Sequence, residues 1–176
     1  MRAAAIVALW VALSHPNPSS LDSARFKAVA EGIVSAAHAA PLREGEDRTA
    51  ILLAAIAEHE GHLREDVRRC SVTGDDDQAV TLYQLHPGAL GATTREAACA
   101  DDSLAARAAL ATIRAGLRFC HGSIRCSIHL YASGKDKHTR AAEEIETLWR
   151  SGLRPTQKLA PPTRQKAILL SPARRR

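Results

Sequence analysis

The chain has 176 residues, enough for one domain with a single core plus extensions. Apolar residues make up 45% and aromatics only 3%, and the Ala-rich, Val-poor balance favours close-packed helices over sheet. The net charge of +5 does not describe a nucleic-acid-binding domain, because the seven Lys and Arg from Gly152 onward meet no Asp or Glu and leave 17 basic against 19 acidic residues before them.

Residues 1–19 form a short apolar segment. One Arg precedes an apolar run to Leu13, and Ala12, Leu13 and Ser14 place small residues where a secretory signal would be cut. A short docking helix on the domain is the other reading, and both stand. The run is too short to span a membrane as a normal helix, so no transmembrane span is expected. Pro16 and Pro18 end it.

The domain is expected over residues 20–152. Ser20 caps a helix to about Ala39, with Phe26, Val29 and Ile33 on one face towards the following helix. A charged linker from Pro41 to Glu46 leads to a helix started by Asp47 or Thr49, in which Ile51, Leu52, Leu53 and Ile56 keep helical spacing. Glu60 sits in its final turn, on the stripe of Leu53, Ile56 and Ala57, before Gly61. A carboxyl facing a packed interior loses hydration, and a helix C-terminus disfavours its charge. Both raise its pKa towards that of a general acid at neutral pH. Glu58 points elsewhere.

A charged loop from Arg64 to Gln78 carries Asp75, Asp76 and Asp77. It lacks the Gly and closing Glu of a calcium loop. Gln84 then lies between the large apolar residues Tyr83 and Leu85, before the chain-breaking Pro87. A bound sugar offers hydroxyls to both the donors and the acceptor of such an amide. Leu82 to Leu85 is at most a short β piece. Thr93 or Thr94 begins a turn of helix, and Ser103 caps a helix from Leu104 to Phe119 with Leu110, Ile113 and Leu117 in register. Gly122 closes it. Ile124, Ile128 and Tyr131 share a face of the next helix, and the Tyr131 hydroxyl needs a partner in the interior. Asp136 caps a last helix with Ala141, Ile145 and Leu148 at helical spacing, stopped by Gly152 and Pro155. Residues 153–176 are a basic, Pro-rich tail expected to be disordered, a solvated terminus or a surface for anionic wall polymer or a protein partner.

Three blocks in this order resemble the lysozyme-like lytic transglycosylase domain, the group of soluble lytic transglycosylases and goose-type lysozymes. That family shows a helix ending in Glu-Ser-x-Phe, then Gly-Ala-x-Gly-Leu-Met-Gln-Ile-x-Pro, then Tyr-Asn-x-Gly. Glu60 falls on its acid. Ala79, Leu82, Gln84 and Pro87 fall on the second block, and Tyr131 and Gly134 on the third. Gly61 stands where Ser is usual, Gln78 and Thr81 replace the two glycines of the second block, and Ala132 replaces the Asn. The resemblance covers Asp47 to Gly152. It implies an all-α fold and cleavage of the β-1,4 bond between N-acetylmuramic acid and N-acetylglucosamine in peptidoglycan strands, outside the cytoplasm, without cofactor or metal. It implies that Tyr131 bonds the Glu60 carboxyl and that Thr81, Tyr83, Gln84 and Gly134 meet the glycan. A hydrolase needs a second carboxylate, and Asp75 or Asp77 is the candidate. A transglycosylase does not, because the muramoyl 6-hydroxyl attacks internally.

Cys70, Cys99, Cys120 and Cys126 contain no Cys-x-x-Cys pair, and an even number beside loops suits disulfides in an oxidising compartment. Three pairings are open, as are buried thiols. Cys70 with Cys99 is preferred because it would brace the loops around the cleft, and Cys120 with Cys126 because it would pin a helix corner. Two further readings compete. His59 and His62 flank Glu60, but they are three apart where a metalloprotease has them four apart. The loss of both glycines near Gln84 fits a weakly active or inactive glycan-binding protein of a wall-associated or phage assembly, since Thr81 adds a side chain where the saccharide would approach.

Overall fold

The structure, a computed structural model, describes residues 20–134 and 139–152. The N-terminal apolar segment, the expected Asp136 cap and the basic tail lie outside the described residues. Among the described residues eight helices follow one another with no sheet: α1 (Ser20–Ala39), α2 (Glu46–Gly61), α3 (Glu65–Arg68), α4 (Pro87–Leu90), α5 (Arg95–Ala100), α6 (Asp102–Phe119), α7 (Ile124–Ser133) and α8 (Arg140–Ser151). The fold is all-α, as composition predicts.

The apolar run of α2 places it at the centre, because Thr49 to Ala57 are buried around the whole circumference and such a helix is stable only inside others. α1 and α8 pack along it, and α6 crosses it. Its alanines let neighbours approach closely, while Leu52, Leu53 and Ile56 fill the gaps, each stabilising by about 1.5–3 kcal/mol. Phe26, Val29 and Ile33 of α1 are buried as their spacing predicts, but the largest contact of α1 is with α6, not α2. Gly32 allows it, since a Cβ there would lie 2.8 Å from the backbone of Asp102.

Helix starts differ from expectation in detail. Gly45 precedes α2 without a side-chain cap, and Thr49 instead ties the linker, accepting from Leu42 N and donating to Gly45 O, both at 2.8 Å. Asp101, not Ser103, caps α6, because its carboxylate accepts from the N–H groups of both Ser103 and Leu104. Thr94 caps α5, and Thr139 caps α8. The buried stripe of α8 is Ala142, Ile145, Glu146 and Trp149, with Ala141 and Leu148 at its edges.

Both preferred disulfides are present, Cys70–Cys99 and Cys120–Cys126, with Cα–Cα distances of 5.7 and 5.8 Å. The first ties the loop after α3 to α5 across 29 residues; the second closes the α6–α7 corner across 6. Arg68 reinforces the first, with a buried guanidinium that binds both Asp102 and Glu65. Loop-closure entropy predicts that replacing Cys70 and Cys99 together by Ser costs about 3–4 kcal/mol, and Cys120 and Cys126 about 2 kcal/mol. Denaturant midpoints of the two double variants check that order.

Candidate active site

Glu60 lies where the buried part of α2 runs out. Residues three, four and seven before it (Ala57, Ile56 and Leu53) are fully buried, so its side chain leaves the helix from the face that points into the fold. Burial pushes its carboxyl up to about 7, and the charge of Asp75 adds to the rise. A carboxyl balanced at neutral pH can hold a proton and release it.

The chain then reverses. His62 caps α2 in the left-handed conformation, with its N–H bonded to Glu58 O, and Leu63 follows at φ 51°. After α3, the segment from Gly74 to Leu85 makes two tight loops in succession. Gly74 and Ala79 exchange both backbone hydrogen bonds, and so do Val80 and Leu85. The expected β piece at Leu82 to Leu85 is thus a turn, with Leu85 alone pairing backwards. The first loop carries Asp75, Asp76 and Asp77 in three consecutive left-handed conformations. Asp tolerates these better than most residues.

The second loop lies directly on the end of α2. A Cβ at Gly61 would fall 2.7 Å from Leu82 Cα and 2.9 Å from its carbonyl oxygen, so only glycine allows this approach beside Glu60. The departure from the resembling family at Gly61 has this packing reason. Thr81 has φ 65°, a glycine-like conformation that costs a β-branched residue about 1–2 kcal/mol. Its side chain is buried, and Oγ1 accepts from Tyr83 N at 3.3 Å. The expectation that Thr81 projects where a saccharide would approach is therefore corrected. Gln84 also has positive φ; its Nε2 donates to Thr81 O at 3.2 Å and its Oε1 rests against Gly74. One amide donor of Gln84 thus serves the loop itself. Tyr83 is buried, so what it turns towards α7 is its carbonyl.

Tyr131 reaches that carbonyl, donating to Tyr83 O at 2.6 Å. It does not donate to Glu60, as the resemblance implies, because its one hydrogen is committed to the loop. α7 packs chiefly on α6 and α8. Glu60 is still close enough to be felt. The Tyr131 hydroxyl is held well above the ordinary tyrosine range by burial, then by the Glu60 charge and by Tyr83. Tyr131→Phe is expected to loosen the Gln84 loop and cost about 1–3 kcal/mol, because Tyr83 O loses its donor. Denaturant unfolding of the variant checks it. Gly134, one turn on, closes α7 at φ 63°.

The two candidate second carboxylates separate. Asp77 is used within its own loop, its carboxylate accepting from the Thr73 hydroxyl and its carbonyl from Arg95 Nη1 at 3.0 Å. Asp75 is the one whose charge reaches Glu60, and its Oδ2 lies 3.1 Å from His86 Nε2. His59 turns towards α8, with Nδ1 3.3 Å from Glu144 Oε2. Among the described residues no group of three or more His, Cys, Asp or Glu could hold a metal ion. Sequence reasoning missed His86 and Gly74. The position of His86, two residues past Gln84 and just before Pro87, was a signal for the first, but nothing marked the second.

The described fold and site define an all-helical protein with a neutral-range carboxyl at the end of its central helix, faced by a doubly looped segment. Compared with protein-family models, curated proteins and solved structures, the chain matches none of them.

Proposed function

We propose that the chain is a peptidoglycan-cleaving glycosidase of the lytic transglycosylase or lysozyme type, with Glu60 as its general acid. One observation carries the reading: a carboxyl raised to about 7 sits at the end of a buried helix, beside the loop of Gln84 and the hydroxyl of Tyr131. These elements come from the three sequence blocks of the resemblance. The protonated Glu60 donates to the oxygen linking the muramoyl and glucosaminyl rings, and the C1–O4 bond breaks as the muramoyl ring gains oxocarbenium character. Water then gives a reducing end, and the muramoyl 6-hydroxyl a 1,6-anhydro end. In the second case the ionised Glu60 takes the hydroxyl proton back.

The substrate is the glycan strand of the cell wall, which places the protein outside the cytoplasm. The two disulfides support that setting, since such bonds persist in oxidising compartments. No helix among the described residues is long and apolar enough to cross a membrane. Incubation with purified peptidoglycan, followed by mass spectrometry of the soluble fragments, tests the reading. Anhydro or reducing muramoyl ends support it. An intact polymer that retains the protein identifies a glycan-binding protein instead.

A further inference from the structure

Two carboxyls in one site can divide the work of acid and base only if their surroundings hold them in opposite states. Glu60 is buried at the end of α2, while the Asp75 side chain is 74% exposed at the start of the acidic loop and is felt by Glu60. An exposed Asp on a loop is ordinarily free to sweep through solvent. Here two features restrain it. The backbone of Asp75, Asp76 and Asp77 is fixed in a left-handed turn, closed by the Gly74–Ala79 pair and by Gln78 N bonded to Asp75 O at 3.1 Å. From the far side, His86 Nε2 stands 3.1 Å from Asp75 Oδ2. His86 immediately precedes α4, where Pro87 fixes the backbone, and it directly follows the Val80–Leu85 pair of the second loop. Its imidazole therefore bridges the acidic loop to the second loop, which lies on the end of α2.

We propose that His86 is a positioning residue that holds the Asp75 carboxylate beside Glu60, so that Asp75 serves as the second carboxylate of the site. The proposal rests on the glycosidase reading for its substrate, but not for the contact itself. In the cleavage step a water oxygen bonds to C1 of the muramoyl ring while the C1–O4 bond breaks. Asp75 receives the proton of that water, and O4 receives the proton of Glu60. One water is added and the two carboxyls exchange states. A surface contact of this exposure is weak in the free protein, but a glycan lying over it excludes water and strengthens the attraction. The pair is thus firmest when the carboxylate must be in place.

The test compares His86→Ala with His86→Gln, two uncharged variants of which only Gln places an amide nitrogen near the former Nε2. His86→Ala is expected to lower kcat on peptidoglycan fragments about tenfold with KM within about twofold, and His86→Gln to recover most of that loss. In an Asp75→Asn background His86→Ala should change nothing further. An equal loss in both backgrounds overturns the proposal, because His86 would then act without Asp75. A second arm needs no substrate. Carboxyl NMR of Glu60 should place its titration midpoint about half a pH unit lower in His86→Ala than in His86→Gln, since a freed Asp75 repels its charge less. Equal midpoints overturn the holding role. If the unmodified protein releases no fragments, the glycosidase reading fails, and the titration alone supports or overturns the contact.

Discussion

Glu60→Gln is expected to abolish nearly all glycan cleavage while making the protein more stable at alkaline pH. The activity loss follows from the lost proton and is about a hundred- to ten-thousandfold. The stability gain follows from linkage. The folded-state pKa of Glu60 is about 7 against an ordinary value of 4.5, so ionisation is disfavoured in the fold. Below pH 4.5 the group is protonated whether folded or not, and it has no effect. As pH rises from there through 7, the unfolded chain ionises first and stability falls; above that range the loss is complete. Gln cannot ionise and escapes this loss, which is worth about 2–3 kcal/mol at pH 8. Denaturant unfolding of both proteins at pH 4 and pH 8 should show curves that coincide at the first and separate at the second. Coincidence at both would mean that Glu60 is solvated.

Gly61→Ala is expected to damage the fold and the site together. In an open helix the change would favour Ala by about 1 kcal/mol. Here the added methyl meets Leu82 Cα at 2.7 Å, its Cδ2 at 2.8 Å and its carbonyl oxygen at 2.9 Å. Two of those three atoms are backbone and cannot swing away, so the loop must lift off α2, at about 1–3 kcal/mol for the overpacking. The lifted segment contains Thr81 to Gln84, and Tyr131 is bonded to it. Activity should therefore fall more than stability does. The denaturation midpoint and turnover of Gly61→Ala, measured beside Gly88→Ala, where a Cβ meets nothing within 4 Å, separate packing from propensity.

The parts of the fold that sequence reveals are those governed by periodicity. The continuous apolar run of α2 and the spacing of Phe26, Val29 and Ile33 in α1 announce buried helices because solvent exclusion acts on every turn. Glu60 is legible for the same reason, as the last residue of a stripe whose earlier members are all buried. The cysteine pairing was reachable because Cys120 and Cys126 flank one helix corner. Contacts between loops are not periodic, and there the reading falters. Nothing in the sequence says that three aspartates turn left-handed, that Thr81 adopts a glycine-like backbone, or that Gln84 folds back onto Gly74. The Tyr131 hydroxyl was expected on a carboxyl and found on a carbonyl, because α7 rests on α6 and α8 and approaches the second loop instead of α2. Similarly, Asp101 takes the cap of α6 from Ser103 through a two-residue difference that propensity does not resolve.

The dependence of cleavage on pH tests most directly whether Glu60 is the acid. With solubilised glycan strands as substrate, kcat/KM should hold steady at pH 5 to 6 and fall as pH rises through about 7, as the carboxyl loses its proton. The midpoint of that fall should match the Glu60 carboxyl resonance titrated in the same buffer. A rate that stays constant from pH 5 to 9, or a fall that persists unchanged in Glu60→Gln, would contradict it.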